Sequence, residues 1–408
     1  MIPADNLPGK NGPSLDLMSG VRVLDLSTSI AGPYAGQLLA DMGATVVKVE
    51  KPGSGDDCRA WGPPFLDDES LWYMSVNRNK HSITLDFAAA TGYQLLARLV
   101  PQCDVILLNM VARAQTKLKL DFETLTKIKP DLVHVSITGF GLTGARADMA
   151  CYDLIAEGYS GVMDLTGEPD SAPQKVGTPA ADMLAGHDAA MAVTAALFRR
   201  ERTKQGCHID ISMTESMARF LAPRMSPYLG SGEVPRRSGG RDSVIAIYQV
   251  FDTADLPMTL GLGNDAIWQR FWTAVGEPQR GLEATHDSNV KRRTHRPEIV
   301  AEISRVLATK PRAHWLAAFA SARVPAGPIN RVDEVTQDAE LQRRGFIYAI
   351  ERNGVRVPQV GLGIQFDGQS EGCAKLPPLL GEDNEAVYGE WLQLSSAELQ
   401  RLRDDKII

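Results

Sequence analysis

Cysteine is scarce in this sequence, with five residues among 408 and no C-x-x-C pair. The five are spread along the chain as Cys58, Cys103, Cys151, Cys207 and Cys373. An odd and widely spaced set matches neither a disulfide framework nor a zinc site. We therefore expect no metal site and a reducing, cytoplasmic location.

Long apolar runs and basic clusters are also lacking. No window approaches the roughly 18 consecutive apolar residues of a membrane span, and residues 1–20 lack the basic start and apolar core of a signal peptide. Acidic residues outnumber basic ones by 50 to 43, which gives a formal net charge of -7. Without a basic stripe interleaved with aromatic residues, no nucleic-acid partner is expected.

What the sequence does contain is an alternation of strand-like and helix-like patterns. This order is typical of a parallel sheet flanked by helices, so we predict an α/β fold. The strand-like segments are "VRVLDLS" (21–27), "ATVVKVE" (44–50), "HSITLDF" (81–87), "CDVILLN" (103–109), "DLVHVSITGFG" (131–141) and "CHIDISM" (207–213).

The chain is too long for one ordinary core. After about residue 224 the pattern changes to a hairpin-like pair of strands followed by three helical segments. We predict a large domain whose N-terminal part is 1–224, a smaller α+β domain at 225–325, and a segment at 326–408 that links back and completes the large domain.

One acidic side chain stands among small and apolar residues in "GTPAADMLAG" (177–186). A helix is predicted from Leu184 to Lys204, so Asp182 stands just ahead of it. Two interpretations compete: the carboxylate caps the helix, which is the commoner role at such a position, or it reacts. A helix N-terminus favours an anion in either case.

A strand, a glycine turn, a helix and Glu50 at the end of the next strand are also arranged as in dinucleotide-binding units. The turn, however, reads "SIAGPYAG" (29–36) instead of G-x-G-x-x-G, and Pro33 stands where a backbone N–H should face the pyrophosphate. We therefore expect neither a nicotinamide nor a flavin cofactor.

Two cations, Arg78 and Lys80, precede a predicted strand in "NRNKHSITLD" (77–86). Charged side chains on a polar loop are usually solvated. The alternative is that they meet a phosphate of a ligand, and we keep both as candidate binding residues.

Several of these segments, taken together and in order, resemble the class III CoA-transferases, a family that includes formyl-CoA transferases, carnitine CoA-transferases and α-methylacyl-CoA racemases. The resemblance covers nearly the whole chain. It implies a Rossmann-like parallel sheet with an inserted small domain. It also implies two interlaced chains, either a homodimer or a heteromer with a paralogous chain. The segments that carry it include "VRVLDLSTSIAGPYAGQLLADMGATVVKVEKPGSGD", "WGPPF", "NRNKHSITLDF", "GTPAADMLAG", "VPAGPIN" and "PPLLGEDNEAVY".

The resemblance implies that Asp182 is the catalytic nucleophile and forms a CoA thioester during the reaction. CoA and acyl-CoA would be substrates, with no permanently bound cofactor. The family pattern further implies CoA contacts at Lys51, Asn109, Lys117, Gly139 and Phe140.

The chain departs from the family at "NMVAR" (109–113), where relatives usually read "NFRPG". The usual cation at position 111 is therefore Val111, and Arg113 is a candidate substitute. The residues expected on the side of the acid substrate are Tyr152, Gly239, Gly240 and Arg241, with Arg236 and Arg237 as further candidates for a second carboxylate.

The implied reaction is transfer of CoA from an acyl-CoA donor, with succinyl-CoA favoured, to a dicarboxylic or aryl-substituted acid. The succinyl-CoA:benzylsuccinate transferases are one candidate group of relatives. Two alternatives stay open. The first is an acyl-CoA racemase, although Tyr152 stands where racemases have a basic histidine. The second is a non-catalytic subunit of a heteromeric transferase.

Overall fold

The structure is a computed structural model that describes residues 3–10, 12, 15–242, 244–370, 372–373 and 375–408. Its contacts divide the chain into two compact units. The large unit consists of the residues up to Val162, Lys175–Gly230 and Thr336–Ile408, and the small unit of Met163–Gln174 and Ser231–Val335. Among the described residues, no helix has the length and apolar character that crossing a membrane requires.

Strands and helices alternate through the first half of the chain. The strands are β1 (Arg22–Asp25), β2 (Thr45–Glu50), β3 (Phe65–Leu66), β4 (Glu69–Ser70), β5 (Lys80–Thr84), β6 (Val105–Leu108), β7 (Val133–Thr138), β8 (Cys207–Ser212), β9 (Tyr248–Phe251), β10 (Met258–Gly261), β11 (Ala326–Pro328), β12 (Ile347–Arg352), β13 (Val355–Val360), β14 (Gln365–Phe366) and β15 (Gln369–Ser370). The α-helices are α1 (Ala31–Asp41), α2 (Leu71–Ser75), α3 (Ala90–Leu99), α4 (Ala112–Lys117), α5 (Phe122–Ile128), α6 (Asp153–Ser160), α7 (Val162–Leu165), α8 (Ala180–Thr203), α9 (Met213–Phe220), α10 (Ala222–Ser231), α11 (Asp265–Ala274), α12 (Asn289–Thr294), α13 (Arg296–Leu307), α14 (Arg312–Ala322), α15 (Val332–Thr336), α16 (Ala339–Arg343), α17 (Asn384–Leu392) and α18 (Ser396–Asp404).

Six strands form one parallel sheet in the order β5-β2-β1-β6-β7-β8. Each of them lies within or overlaps a segment predicted from the sequence, so the expected parallel α/β sheet is confirmed. β2, β6 and β7 are almost entirely buried, as is usual when helices cover both faces of a sheet. The chain order reverses between β1 and β6, which opens a crevice at the carboxyl ends of these two strands.

The C-terminal helices return to the large unit, where α17 and α18 pack with α3 in one hydrophobic core. Side chains at the start of α17 also cover β5, an edge strand. Asp383 accepts the N–H of Ser82 at 2.9 Å, and Asn384 accepts the N–H of Thr84 at 2.8 Å. Because an uncovered edge presents unpaired N–H groups, these contacts close that side of the sheet.

The small unit has its own antiparallel sheet, in the order β11-β10-β9. The predicted hairpin corresponds to β9 and β10, and the three predicted helices to α11, α13 and α14. An aromatic core holds these elements together. Its largest side chains are Trp268, Phe271, Trp272, Trp315 and Phe319.

The bounds of the small unit differ from the predicted 225–325, because residues 225–230 belong to the large unit and the small unit continues to Val335. At one end β11 pairs with β10, which places residues after 325 in the small sheet. Met163–Gln174 also joins this unit, because the N–H of Gly239 donates to the carbonyl of Gly167 at 2.9 Å. Such pairings join segments distant in sequence, which local patterns do not reveal.

Arg78 and Lys80 are interior residues of the large unit. Arg78 is 1% exposed, and its guanidinium donates to both carboxylate oxygens of Asp41, at 3.0 and 2.5 Å. Lys80 is fully buried, and its ammonium donates to the carboxylate of Asp25 at 3.0 Å and to the carbonyl of Pro33 at 2.6 Å. Both cations are enclosed and already paired with protein groups, which argues against the predicted contact with a ligand phosphate.

The Arg78→Met variant should lower the free energy of unfolding by about 3–5 kcal/mol, because it leaves the fully buried Asp41 without its counter-charge. The control variant Arg343→Met removes an exposed pair with Glu340 and should leave the free energy of unfolding nearly unchanged. Urea unfolding of both variants measures the difference. Unchanged stability together with a raised KM for acyl-CoA in Arg78→Met would contradict the structural role.

Candidate active site

The helix that carries Asp182 begins earlier than predicted, at Ala180 instead of Leu184. Asp182 therefore lies inside the first turn of α8 and not ahead of it. The residue at the N-cap is Pro179, and no side chain there accepts a hydrogen bond from the helix. Because Pro179 offers no side-chain acceptor, the first N–H groups of α8 need one from elsewhere in the fold.

The acceptor for the first turn of α8 comes from α6. Through one carboxylate oxygen, Asp153 accepts the N–H of Ala181 at 2.8 Å and that of Asp182 at 3.3 Å. N–H groups in a first turn have no partner within their own helix, and a negative charge there also suits the helix dipole. The capping role considered for Asp182 therefore belongs to Asp153, a residue that the sequence analysis missed.

The Asp182 side chain faces the start of α1. Asp182 and Gly186 lie one turn apart on the same face of α8. A Cβ at Gly186 would lie 2.7 Å from the carbonyl oxygen of Ala31, so only glycine allows the two helices to approach this closely. A backbone hydrogen bond from Ala31 then reaches the half-buried carboxyl of Asp182.

The electrostatic surroundings make the Asp182 carboxyl unusually basic. Burial raises its pKa most, the charge of Asp153 raises it further, and the hydrogen bond from Ala31 opposes the rise, with a resulting pKa of about 7. At neutral pH a substantial fraction is still ionised. Carboxyl groups perturbed in this way are concentrated at functional sites.

The loop after β7 and the residues before α6 pack beside this carboxyl. A Cβ on Gly139 would overlap Cys151, so the two backbones lie very close together. Burial raises the pKa of the Cys151 thiol to about 11, with a further contribution from the charge of Asp182, so the thiol stays protonated at neutral pH. Phe140 packs edge-on against Tyr159 at 4.9 Å between ring centroids. Tyr152 is 71% exposed.

The loop between β1 and α1, which leads to Ala31, is held from two sides. Asp56 accepts the N–H of Ser29 at 3.0 Å and forms a fully buried ion pair with Lys48 at 2.8 Å. Asn109 accepts the N–H of Thr28 at 3.0 Å and donates to its carbonyl at 2.8 Å. The predicted binding residue Asn109 thus fixes the backbone at the crevice between β1 and β6.

A cavity of about 240 Å³ opens at the carboxyl ends of β1, β2, β5 and β6. The exposed Lys51 lines it together with Thr28, the residue bonded to Asn109. The structure therefore brings Lys51 and Asn109 together at one crevice. The apolar part of the lining consists of Leu26, Val49, Leu85, Phe87 and Met110.

The other predicted CoA contacts are more dispersed. Lys117 is exposed in the last turn of α4 and is not part of the lining of this cavity. Val111 precedes the same helix as its N-cap. Arg113 is exposed, and its backbone N–H donates to Asp148 at 3.2 Å.

The predicted acid-side residues Gly239, Gly240 and Arg241 belong to the small unit. They line a cavity of about 470 Å³ within that unit. Gly239 has a φ of 60°, a conformation that glycine adopts readily. Ser243, at the end of the same loop, lies outside the described residues.

The three candidate arginines differ in availability. Arg237 forms an ion pair with Asp164 at 3.1 Å and donates to the carbonyl of Ser171 at 2.9 Å. Arg236 and Arg241 are exposed. The structure therefore gives Arg237 a role in holding the small unit together and leaves Arg241 at the cavity.

Glu50 is unavailable to a ribose hydroxyl. It is 3% exposed and accepts two hydrogen bonds from Arg59, at 2.7 and 2.8 Å, and one from Ser82 at 2.7 Å. The acidic residue at the end of β2 thus serves the interior of the large unit.

The chain is similar to known proteins along nearly its whole length. The profile of CoA-transferase family III matches residues 18–384. The succinate–glutarate CoA-transferase of Agrobacterium fabrum is 38% identical over 392 residues, which cover 94% of this chain and 97% of that protein. The succinyl-CoA:glutarate CoA-transferase of Mus musculus is 33% identical over 396 residues, covering 97% of this chain and 91% of the mouse protein.

The fold is shared as well. The crystal structure of a CAIB/BAIF family protein from Brucella suis superposes with a TM-score of 0.81 at 36% identity, covering 93% of this chain and 100% of that one. Both relatives named above are glutarate CoA-transferases. The prediction that the benzylsuccinate transferases are a candidate group of relatives was therefore wrong. Since the family profile covers most of the chain and relatives above 30% identity span nearly all of it, the chain belongs to CoA-transferase family III and is a CoA-transferase.

Proposed function

We propose that this chain transfers CoA from succinyl-CoA to a dicarboxylic acid through a thioester formed on Asp182. The observation that carries the proposal is the Asp182 carboxyl itself. It is half-buried and more basic than an ordinary carboxyl, and Asp153 takes over the capping of its helix. The names of the relatives support the donor and the class of acceptor.

The reaction proceeds in four acyl exchanges at one carboxylate. Asp182 attacks the thioester carbonyl of the donor and expels CoA thiolate, which leaves a mixed anhydride. The thiolate attacks the Asp182 carbonyl, releasing succinate and leaving aspartyl-CoA. The acceptor carboxylate attacks this thioester to form a second anhydride and thiolate. The thiolate then attacks the acceptor acyl carbonyl, forming the product and regenerating Asp182.

The surroundings of Asp182 suit this chemistry for two physical reasons. Partial burial makes the carboxylate a stronger nucleophile and limits the access of water, which would hydrolyse an anhydride. The backbone N–H of Ala31 stands at the start of a helix, where it can stabilise negative charge that develops on the attacked carbonyl.

CoA is proposed to bind at the crevice between β1 and β6. Lys51 would contact the 3'-phosphate of its adenosine, and the apolar lining beside it suits the purine. Asn109 holds the crevice loop, while Lys117, Gly139 and Phe140 are proposed as further contacts along CoA.

Tyr152 of the large unit and, independently, Gly239, Gly240 and Arg241 of the small unit stay candidate contacts of the acid substrate. A dicarboxylic acid presents a second carboxylate during transfer, and a guanidinium fork matches that group. Arg241, exposed at a cavity of the small unit, is the proposed partner for it.

A second chain is part of the proposal, as an interlaced homodimer or as a heteromer with a paralogous chain. Large apolar side chains are exposed on neighbouring helices of the large unit, and contiguous apolar surface marks interfaces. They are Leu154, Ile155 and Tyr159 on α6, Met191 and Phe198 on α8, Phe220 on α9, and Tyr228 and Leu229 on α10. A cytoplasmic location remains a prediction.

The purified chain should form a new acyl-CoA from succinyl-CoA and glutarate, and Asp182→Asn should reduce this on the order of a thousandfold or more, because the nucleophile is lost. Mass spectrometry of the thioesters formed by a panel of acids measures both. Asp188→Asn, which removes another carboxylate of α8, should retain activity.

The same sample tests the intermediate. Hydroxylamine added to enzyme and succinyl-CoA should mark Asp182 in the tryptic peptide 176–199. Light scattering of the active sample shows whether a homo-oligomer of this chain suffices for activity. Deuterium uptake at Cα of a bound acyl-CoA without CoA exchange would favour the racemase. A preference for aryl-substituted acids would overturn the dicarboxylate assignment.

Asp182→Asn should also stabilise the fold, increasingly at higher pH. The folded pKa, about 7, exceeds the ordinary 3.8, so the wild type loses stability as pH rises between these values and carries the full penalty above 7. The variant, which cannot ionise, avoids this, with about 4 kcal/mol as the ceiling for a shift of that size. Urea unfolding at pH 5 and pH 8 should show the larger gain at pH 8. An equal gain at both would contradict the raised pKa.

Lys51→Met should raise the KM for succinyl-CoA roughly tenfold, because one hydrogen bond to a charged phosphate is lost. The wild type should prefer succinyl-CoA over its 3'-dephospho analogue, and the variant should lose most of that preference. Lys127→Met, which removes an exposed lysine of α5, is the control. A preference retained by Lys51→Met would place the phosphate elsewhere.

A further inference from the structure

Two carboxyl groups of α6, one turn apart, hold the segment that leads into α8. Glu157 accepts the N–H of Val176 at 2.8 Å, and Asp153 accepts the N–H groups of Ala181 and Asp182. Glu157 is fully buried, whereas Asp153 is half-buried. Side chains of α6 therefore hold the backbone both before α8 and within its first turn.

The two carboxyl groups also interact with each other. Asp153 and Glu157 lie close enough for the charge of one to act on the other. Burial raises the pKa of Glu157, the charge of Asp153 raises it further, and the N–H of Val176 opposes the rise. The surroundings thus favour the protonated form of Glu157.

The groups facing Asp182 come from three elements. Asp153 approaches from α6 with a negative charge, Cys151 from the preceding loop as a neutral thiol, and Ala31 from α1 with a backbone hydrogen bond. His187, the histidine of α8, is exposed. Its ring packs against Tyr34, with 5.7 Å between the ring centroids. Among these groups, Asp153 is the one whose charge acts on Asp182.

We infer that Asp153 is a positioning residue for CoA transfer: it accepts the first N–H groups of α8 in place of Asp182 and so leaves the Asp182 carboxyl facing Ala31. The inference rests on the proposed nucleophilic role of Asp182. It adds a second carboxylate that touches neither substrate nor CoA and acts only through the backbone and the field at Asp182.

A raised pKa of Asp182 has two opposing effects on the rate of transfer. A more basic carboxylate attacks a thioester faster, but a smaller fraction is ionised at a given pH. Neutralising Asp153 should therefore extend activity to lower pH while lowering the rate at the alkaline plateau. A residue that only supported the fold would not link these two effects.

The test is the pH dependence of kcat/KM for three variants, with Asp188→Asn as the control on α8. Asp153→Asn keeps an oxygen that can accept the N–H groups of Ala181 and Asp182 but removes the charge, so the acid limb should move to lower pH by roughly one unit. Asp153→Ala also removes the acceptor, and kcat/KM should fall about tenfold or more at all pH values. Asp153→Asn should retain most of the kcat/KM that Asp153→Ala loses.

Glu157→Gln keeps an acceptor for the N–H of Val176 and leaves the charge of Asp153 in place, so its acid limb should stay within a few tenths of a unit of the wild type. Thermal unfolding of each variant corrects for the folded fraction. An acid limb unmoved in Asp153→Asn would overturn the inference and leave Asp153 a structural cap.

The hydroxylamine experiment distinguishes this failure from that of the proposed function. If the wild type is marked at Asp182 and the acid limb does not move in Asp153→Asn, the result contradicts only the positioning role of Asp153. If the wild type is never marked at Asp182, the proposed mechanism falls and the positioning role falls with it.

Discussion

The arrangement of this protein depends on one requirement of helix ends, that the first N–H groups find an acceptor outside their own helix. In α8 the acceptor is the carboxylate of Asp153, delivered from another helix. Because the cap comes from outside, the acid in the first turn of α8 is not needed for it. A carboxylate in such a position would ordinarily be held by local backbone. Here Asp182 is left facing α1, half-buried and close to a like charge.

A second requirement is close approach between helices. Gly186 allows the carbonyl of Ala31 to lie where a Cβ would otherwise stand, and Gly36 similarly lets α1 approach the buried pair of Asp25 and Lys80. Glycine in a helix costs about 1 kcal/mol relative to alanine. The structure accepts that cost at Gly36 and Gly186, where a larger residue would separate α1 from its neighbours. The contact between α1 and α8 is what brings a backbone N–H to Asp182.

The sheet has the strand order of dinucleotide-binding folds, yet its crevice is organised by charges instead of a glycine fingerprint. The ion pair of Lys48 and Asp56 lies fully buried beneath the loop after β1, and Asn109 holds the same loop from β6. Buried ion pairs contribute little net stability against apolar alternatives, but removing one partner is costly. Their effect here is to fix the conformation of one loop whose end carries Ala31.

Much of the fold was predictable because its signals are local. Hydrophobic periodicity determined the six parallel strands and the helices of the small unit, and the segment around Asp182 indicated where to look for chemistry. Burial of Arg78 and Lys80 was not predictable, since a cation ahead of a strand looks the same whether it meets water or a buried carboxylate. The acceptor for the first turn of α8 and the basicity of Asp182 were decided by tertiary structure alone. Both depend on Asp153 and Ala31, which are distant in sequence, and hydrogen bonds and charges act through distances that only the folded chain establishes.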